Sequence, residues 1–212
     1  MRDLTGRWVF GVAALFSGAA LLAHLIAGVS LRLALAFTVS LVVIAVVLAL
    51  RQSDPERRQH LFALAKVGLV AGVAATLVYD AARLVLGWLD PSPMDPFEAF
   101  RMFGILLAGP ERSDAVIFAT GTAFHALNGL TFAVAFVLLF PRGGVWGGIA
   151  WGVFLHLFQL AFYPGWLDVQ FLREFIAISL LGHIAYGACL GWVAQVGRRR
   201  LGLDVAAPTG AP

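Results

Sequence analysis

AVIFATGTAFHALNGLTFAVAFVLLF, residues 115–140, runs for 26 positions without Asp, Glu, Lys or Arg. A helix needs roughly 20 mostly apolar residues to cross the hydrocarbon of a bilayer, so this stretch reads as a membrane span. Its one titratable group is His125, with Gly121 and Gly129 four residues to either side and Asn128 three residues on. A histidine inside hydrocarbon requires a reason, and the rest of the chain supplies candidates.

Five further stretches have the same character, at about 8–28, 31–50, 64–88, 144–163 and 174–196. The whole chain is 60% hydrophobic and 13% charged, against about 25% charged in ordinary soluble domains, and its mean hydropathy is +0.87. These values define an all-α polytopic membrane protein of six transmembrane helices. The net charge of +3 does not point to nucleic acid, because the basic residues cluster beside the spans as topology signals do. A lone cysteine, Cys189, allows neither an intrachain disulfide nor a cysteine-rich metal cluster. MRDLTGR and the apolar run after it read as a retained first helix rather than a cleaved leader.

Six spans put both termini on one face. Arg2, Arg7, Arg51, Arg57, Arg58, Lys66, Arg142 and Arg198 to Arg200 fall on that face; only Arg32, Arg101, Arg112 and Arg173 fall on the other. The asymmetry predicts cytoplasmic termini in a cell inner membrane. The outer face carries Asp90, Asp95, Glu98, Glu111, Asp114, Asp168 and Glu174.

Four segments follow. Residues 1–50 form a transmembrane hairpin, almost purely aliphatic apart from His24, expected to face lipid, a second copy or a partner in a membrane complex. Residues 51–63, around RQSDPERRQH, form a charged linker; residues 64–196 form a four-helix core; residues 197–212 form a disordered tail. Between the third and fourth spans, Asp95, Pro96 and Glu98 make a helix start, and Phe97, Phe100, Phe103 and Leu107 recur at helical spacing. This predicts a short helix at about 95–108, flat on the outer interface or folded back as a lid. In the outer loop Trp166 is expected to anchor the bilayer surface, and Trp146 and Trp151 to do so at the other end of the fifth span.

Each of the last four spans carries polar groups at one depth, roughly within 5 Å of the midplane at ~1.5 Å per residue: Asp80 with Arg83 and Thr76, His125 with Asn128, His156 with Gln159, and His183 with Tyr186. Glycines four residues apart share the faces of these groups: Gly121 and Gly129 with His125, Gly148 and Gly152 with His156, Gly187 and Gly191 with His183, and Gly68 and Gly72 with Asp80. Glycine faces are where membrane helices approach closely, so the polar groups are predicted to converge. Three imidazoles and a carboxylate, His125, His156, His183 and Asp80, are a ligand set for a transition metal, with Asn128, Gln159, Tyr186, Arg83 and Thr76 supporting the ligands or lining a substrate path. Two of the histidines also suit a non-covalent haem. Alternatively the same groups form a relay or site for a proton- or small-anion-linked transporter, although four core helices without an inverted repeat are an unusual frame for one. The plainest alternative is an accessory subunit whose polar groups only hydrogen-bond between helices. No phosphate loop, nucleophile elbow or dinucleotide fingerprint is present.

FHALNG in the fourth span, GVFLHLFQLAFYPGW in the fifth and LLGHIAYG in the sixth resemble the YagU-like group of uncharacterised bacterial inner-membrane proteins, as does GLVAGVAATLVYD followed by LDPSPMDPF. The resemblance spans about residues 61–196 and rests on His125, His156, Pro164, Gly182 and His183. It implies a membrane protein of undefined activity with one histidine in each of its last three spans. The amino-terminal hairpin, a shorter outer loop and Asp80 depart from that pattern.

Overall fold

The computed structural model describes residues 2–92, 95–167 and 169–203, the side chains of residues 2–5 excepted. Asp168 and residues 204–212 of the expected tail lie outside the described residues. All regular structure among the described residues is α-helical: α1 Arg2–Ala13, α2 Phe16–Ala27, α3 Leu31–Arg51, α4 Pro55–Leu89, α5 Glu98–Ala108, α6 Asp114–Leu139, α7 Val145–Trp166 and α8 Leu172–Arg200. Five helices are long and apolar enough to cross a membrane, or six if α1 and α2, which pass the same test together, count as one bent span.

That bend corrects the single straight first span. The axes of Gly6–Ala13 and Phe16–Ala27 differ by 50°, with no proline between them. At the break the Leu15 N–H bonds the Val12 carbonyl, a tightened i to i−3 turn. The two halves dock at different heights on α6. Gly11 lies against Leu138 and Leu139, while the buried Ser17 hydroxyl is 3.0 Å from that of Thr131. Gly28, at φ +67°, then ends α2, and His24 Nδ1 is satisfied locally by the Val29 carbonyl at 2.9 Å. Of this arm α3 presents the longest outward face, with Leu33, Phe37, Val43 and Ile44 exposed, and Trp8 and Val12 of α1 and Ile26 of α2 are exposed as well.

The linker is shorter than its charge pattern suggests. Asp54 accepts a hydrogen bond from the Arg57 N–H at 2.8 Å, and Pro55 stands at the first helical position, where its missing N–H costs nothing. The helix so nucleated runs for 35 residues, about 52 Å at ~1.5 Å per residue, and takes in residues 55–63 of the expected linker. In the same way α8 continues to Arg200, so residues 197–200 belong to a helix whose last turn is basic, a favourable end for its dipole.

In the core α4 packs on both α8 and α6, and α7 packs on α8. The glycines make these contacts backbone to backbone. A Cβ on Gly148 or Gly152 would strike the carbonyls of Gly187 or His183, and one on Gly68 would come 2.7 Å from Val134 Cα. α6 and α7, although consecutive, hardly approach one another. At the end near their connecting turn the gap is stoppered by Phe136, Phe140 and Trp151, whose ring centroids lie 5.7 to 6.3 Å apart. Trp151 is therefore buried packing rather than an interfacial anchor, whereas Trp146 is exposed.

At the opposite end α5 covers the gap. Asp95 makes a turn by accepting from the Phe97 N–H at 2.8 Å, and the helix begins at Glu98. It does not lie free on a surface: Phe100, Phe103 and Gly104 are buried, and Gly104 and Gly121 bring α5 and α6 into backbone contact at Ile117 and Phe100. Trp166 stacks on Phe103 at 5.6 Å, so it clamps α5 from the α7 side.

Candidate functional site

The space between α6 and α7 is a cavity of about 100 Å³, roofed by Phe100 and Phe103 and walled on its fourth side by Gly18 and Leu21 of α2. Thr76, Tyr79, Arg83, His125, Asn128, Gln159, Tyr163, His183 and Tyr186 also face it. The hairpin expected to be an appendage thus completes the wall of the core.

Within this frame the four candidate metal ligands form two pairs. His125 Nε2 lies 3.0 Å from Asp80 Oδ1, joining α6 to α4. A carboxylate oxygen accepts, so Nε2 carries the proton. Arg83, one turn further along α4, is not in ion-pair contact with Asp80. The second pair is His156 and His183, with ring centroids 5.6 Å apart. Tyr79 stands between the pairs, stacked on His125 at 5.7 Å and edge-on to His183 at 4.9 Å.

Ser179, one turn before His183 on α8, organises the second pair. Its hydroxyl donates to Gln159 Oε1 at 3.2 Å. With that proton committed, the His156 Nδ1 at 3.2 Å must donate to Oγ. His183 Nδ1 donates to the Ser179 carbonyl at 2.8 Å and lies 3.3 Å from Oγ. Both rings therefore carry their proton on Nδ1, the opposite tautomer to His125, leaving Nε2 as the acceptor on each.

Tyr79 and Ser179 were not among the sequence candidates. Ser179 had a readable signal, a hydroxyl four residues before a histidine in an apolar helix. Tyr79 had none beyond its place next to Asp80. Of the expected supporting residues, Gln159 serves Ser179, and Tyr186 donates to the Gly129 carbonyl at 2.8 Å. Asn128 Oδ1, Thr76 Oγ1 and Arg83 Nε are buried without a partner. Buried polar atoms are nearly always paired, and three of the exceptions belong to residues that line this one cavity.

Arg83 is the outstanding member. It is 6% exposed, and among the described residues no carboxylate pairs with it. Its guanidinium lies over the rings of Tyr79 and Phe97 at 5.1 and 5.3 Å, which partly compensates the charge. Gly182 makes this possible, since a Cβ there would come 3.0 Å from Arg83 Cγ. On its other side Arg83 borders a vestibule of about 370 Å³ that includes Asp95, Glu98, Arg101 and Gln170.

The donor sets fit a metal or haem poorly. Among the described residues no group of three or more His, Cys, Asp or Glu side chains is arranged to hold a metal ion. A cavity of about 100 Å³ is small beside the ~300–1,000 Å³ clefts that take drug-sized ligands, and Tyr79 occupies the space between His125 and His183 where a porphyrin would need to lie.

The fold and cavity together define a polytopic helical membrane protein with a cavity among its helices onto which several polar side chains face. Comparison with known proteins gives no match to a family model, to a curated protein or to a solved structure. The YagU-like resemblance therefore rests on the residues quoted for it.

Proposed function

We propose that the protein is a proton-linked carrier of small anions, oriented with cytoplasmic termini in a cell inner membrane, and that Arg83 binds the anion. The observation that carries this reading is the buried Arg83 guanidinium, without a carboxylate partner among the described residues, set between the vestibule and the polar cavity. A buried charge left uncompensated is costly, and an anion entering beside it removes that cost. Asn128 and Thr76 offer further hydrogen bonds, and the Asp80–His125 pair can take up the accompanying proton without leaving the chamber. Intramembrane ionisable groups of this kind ordinarily mark ligand or proton paths.

Equilibrium dialysis of radiolabelled propionate against the full chain in lipid nanodiscs at pH 7 tests the reading. Saturable binding is expected, with proton uptake detectable in weak buffer. Arg83→Gln should lower affinity at least tenfold, and Asp80→Asn should abolish the proton uptake while leaving binding. Propionate retention no greater than by empty nanodiscs would sink the proposal.

A further inference from the structure

The cavity has a second neighbour. An apolar groove of about 430 Å³ lies between the α1–α3 arm and α7, with Phe16, Leu22, Val42 and Phe154 on its walls. Gly18, Phe132, Leu155 and Phe158 line both spaces. The groove exists because the arm packs on α6 and α5 but makes no comparable contact with α7. Phe154 on its rim is 53% exposed, so the groove opens sideways toward lipid. Its one polar side chain, Thr38, is already satisfied by the Leu35 carbonyl at 3.2 Å. At the junction the Phe132 ring packs on Gly18, where a Cβ would come 2.9 Å from it, so these two residues form the partition that the two spaces share.

A chamber holding a guanidinium that no carboxylate pairs with among the described residues, sharing the Gly18–Phe132 partition with a groove that has no free polar side chain, matches one kind of molecule. We infer that the anion of the Arg83 site is the head of a single-chain carboxylate amphiphile, which enters from the lipid and lays its alkyl chain in the groove. This deepens the small-anion reading and rests on it. One guanidinium balances one negative charge; a doubly charged head would leave a charge buried and unpaired. A carboxylate also meets a guanidinium through two parallel hydrogen bonds. The chain gains little free energy by exchanging lipid for the groove, since lipid tails are equally apolar. Its groove is instead positional, letting the head reach Arg83 while the chain stays in an apolar surrounding throughout.

The experiment uses palmitate bearing a diazirine on its chain, photolysed with the full protein in nanodiscs and mapped by mass spectrometry, beside the propionate measurement. Labelling is expected on the groove segments of α2, α3 and α7, suppressed at least tenfold by unlabelled palmitate. Val42→Trp, which fills the groove from the arm, should reduce it at least fivefold while leaving propionate affinity unchanged, which also shows that the variant is folded. Arg83→Gln should reduce both. Labelling confined to the outward face of α3, around Leu33 and Phe37, and indifferent to Val42→Trp, would overturn the inference. If propionate binding still depended on Arg83 in that case, the small-anion reading would stand; if propionate binding were absent as well, both would fall.

Discussion

Replacing the Ser179 hydroxyl by hydrogen asks whether the two α7–α8 histidines are held as a network. In Ser179→Ala, His183 keeps its 2.8 Å bond to the backbone carbonyl, but Gln159 Oε1 and the His156 Nδ1–H each lose their partner. His156 is 3% exposed, so water does not simply take over. Hydrogen bonds between membrane helices average about 0.6 kcal/mol with a maximum near 1.7, and an orphaned buried group costs about 1–3 kcal/mol. Two affected groups, one of them on the cavity where water can relieve it, place the loss at about 1–3 kcal/mol. Reversible unfolding in bicelles measures that loss, and ¹⁵N NMR of the imidazoles reads the tautomers directly. Wild type should show Nδ1–H on His156 and His183 and Nε2–H on His125. In the variant only His156 should change, because only its Nδ1 partner has gone. A stability change below about 0.5 kcal/mol together with an unaltered His156 spectrum would refute the donor assignment from which the network was built.

Two further predictions concern packing and the cavity wall. Gly187→Ala places a methyl against the Gly148 carbonyl and should destabilise by about 1–3 kcal/mol, the usual cost of overpacking, whereas Gly165→Ala, with nothing within 4 Å of its Cβ, should be neutral or slightly stabilising in the same unfolding assay. Thr76→Val removes a hydroxyl that has no partner and keeps the side-chain shape, so stability should stay within about 0.5 kcal/mol while propionate affinity in the dialysis assay falls severalfold; a loss above about 1.5 kcal/mol would mean that the hydroxyl is bonded after all.

Much of the architecture was legible because the bilayer imposes simple rules. Hydropathy located the crossings, and glycines four residues apart marked the α4–α6 and α7–α8 contacts. The break between α1 and α2 was not legible, since no proline or glycine pair sits at Ala14–Leu15 and the bend follows from docking on α6 at two heights. Polar depth was readable, but pairing was not. Asp80 and Arg83 are one turn apart on α4, yet Asp80 turns to His125 across the helix gap while Arg83 lies against Tyr79 and Phe97. Sequence spacing fixes a side chain's height and face, whereas its partner depends on what the neighbouring helix offers at that height. Tyr79 illustrates the limit: an aromatic ring in an apolar span is unremarkable until two histidines are found on either side of it.

The chamber itself follows from how the glycines are spent. On α7, Gly148 and Gly152 are committed to α8, and on α6, Gly129 faces Thr76 of α4 while Gly121 faces α5. The α7 glycine turned toward α6, Gly147, meets the large Phe136 ring rather than backbone, so the two consecutive helices stay a side chain apart and a space opens between them. A four-helix core alone would expose that space to lipid, where Arg83, Asn128 and Thr76 would be intolerable. The two elements that seemed peripheral, α5 and α2, supply the missing wall with Phe100, Phe103, Gly18 and Leu21. α5 and the amino-terminal arm are therefore part of the cavity wall, and the arm's incomplete contact with α7 leaves an apolar groove beside it.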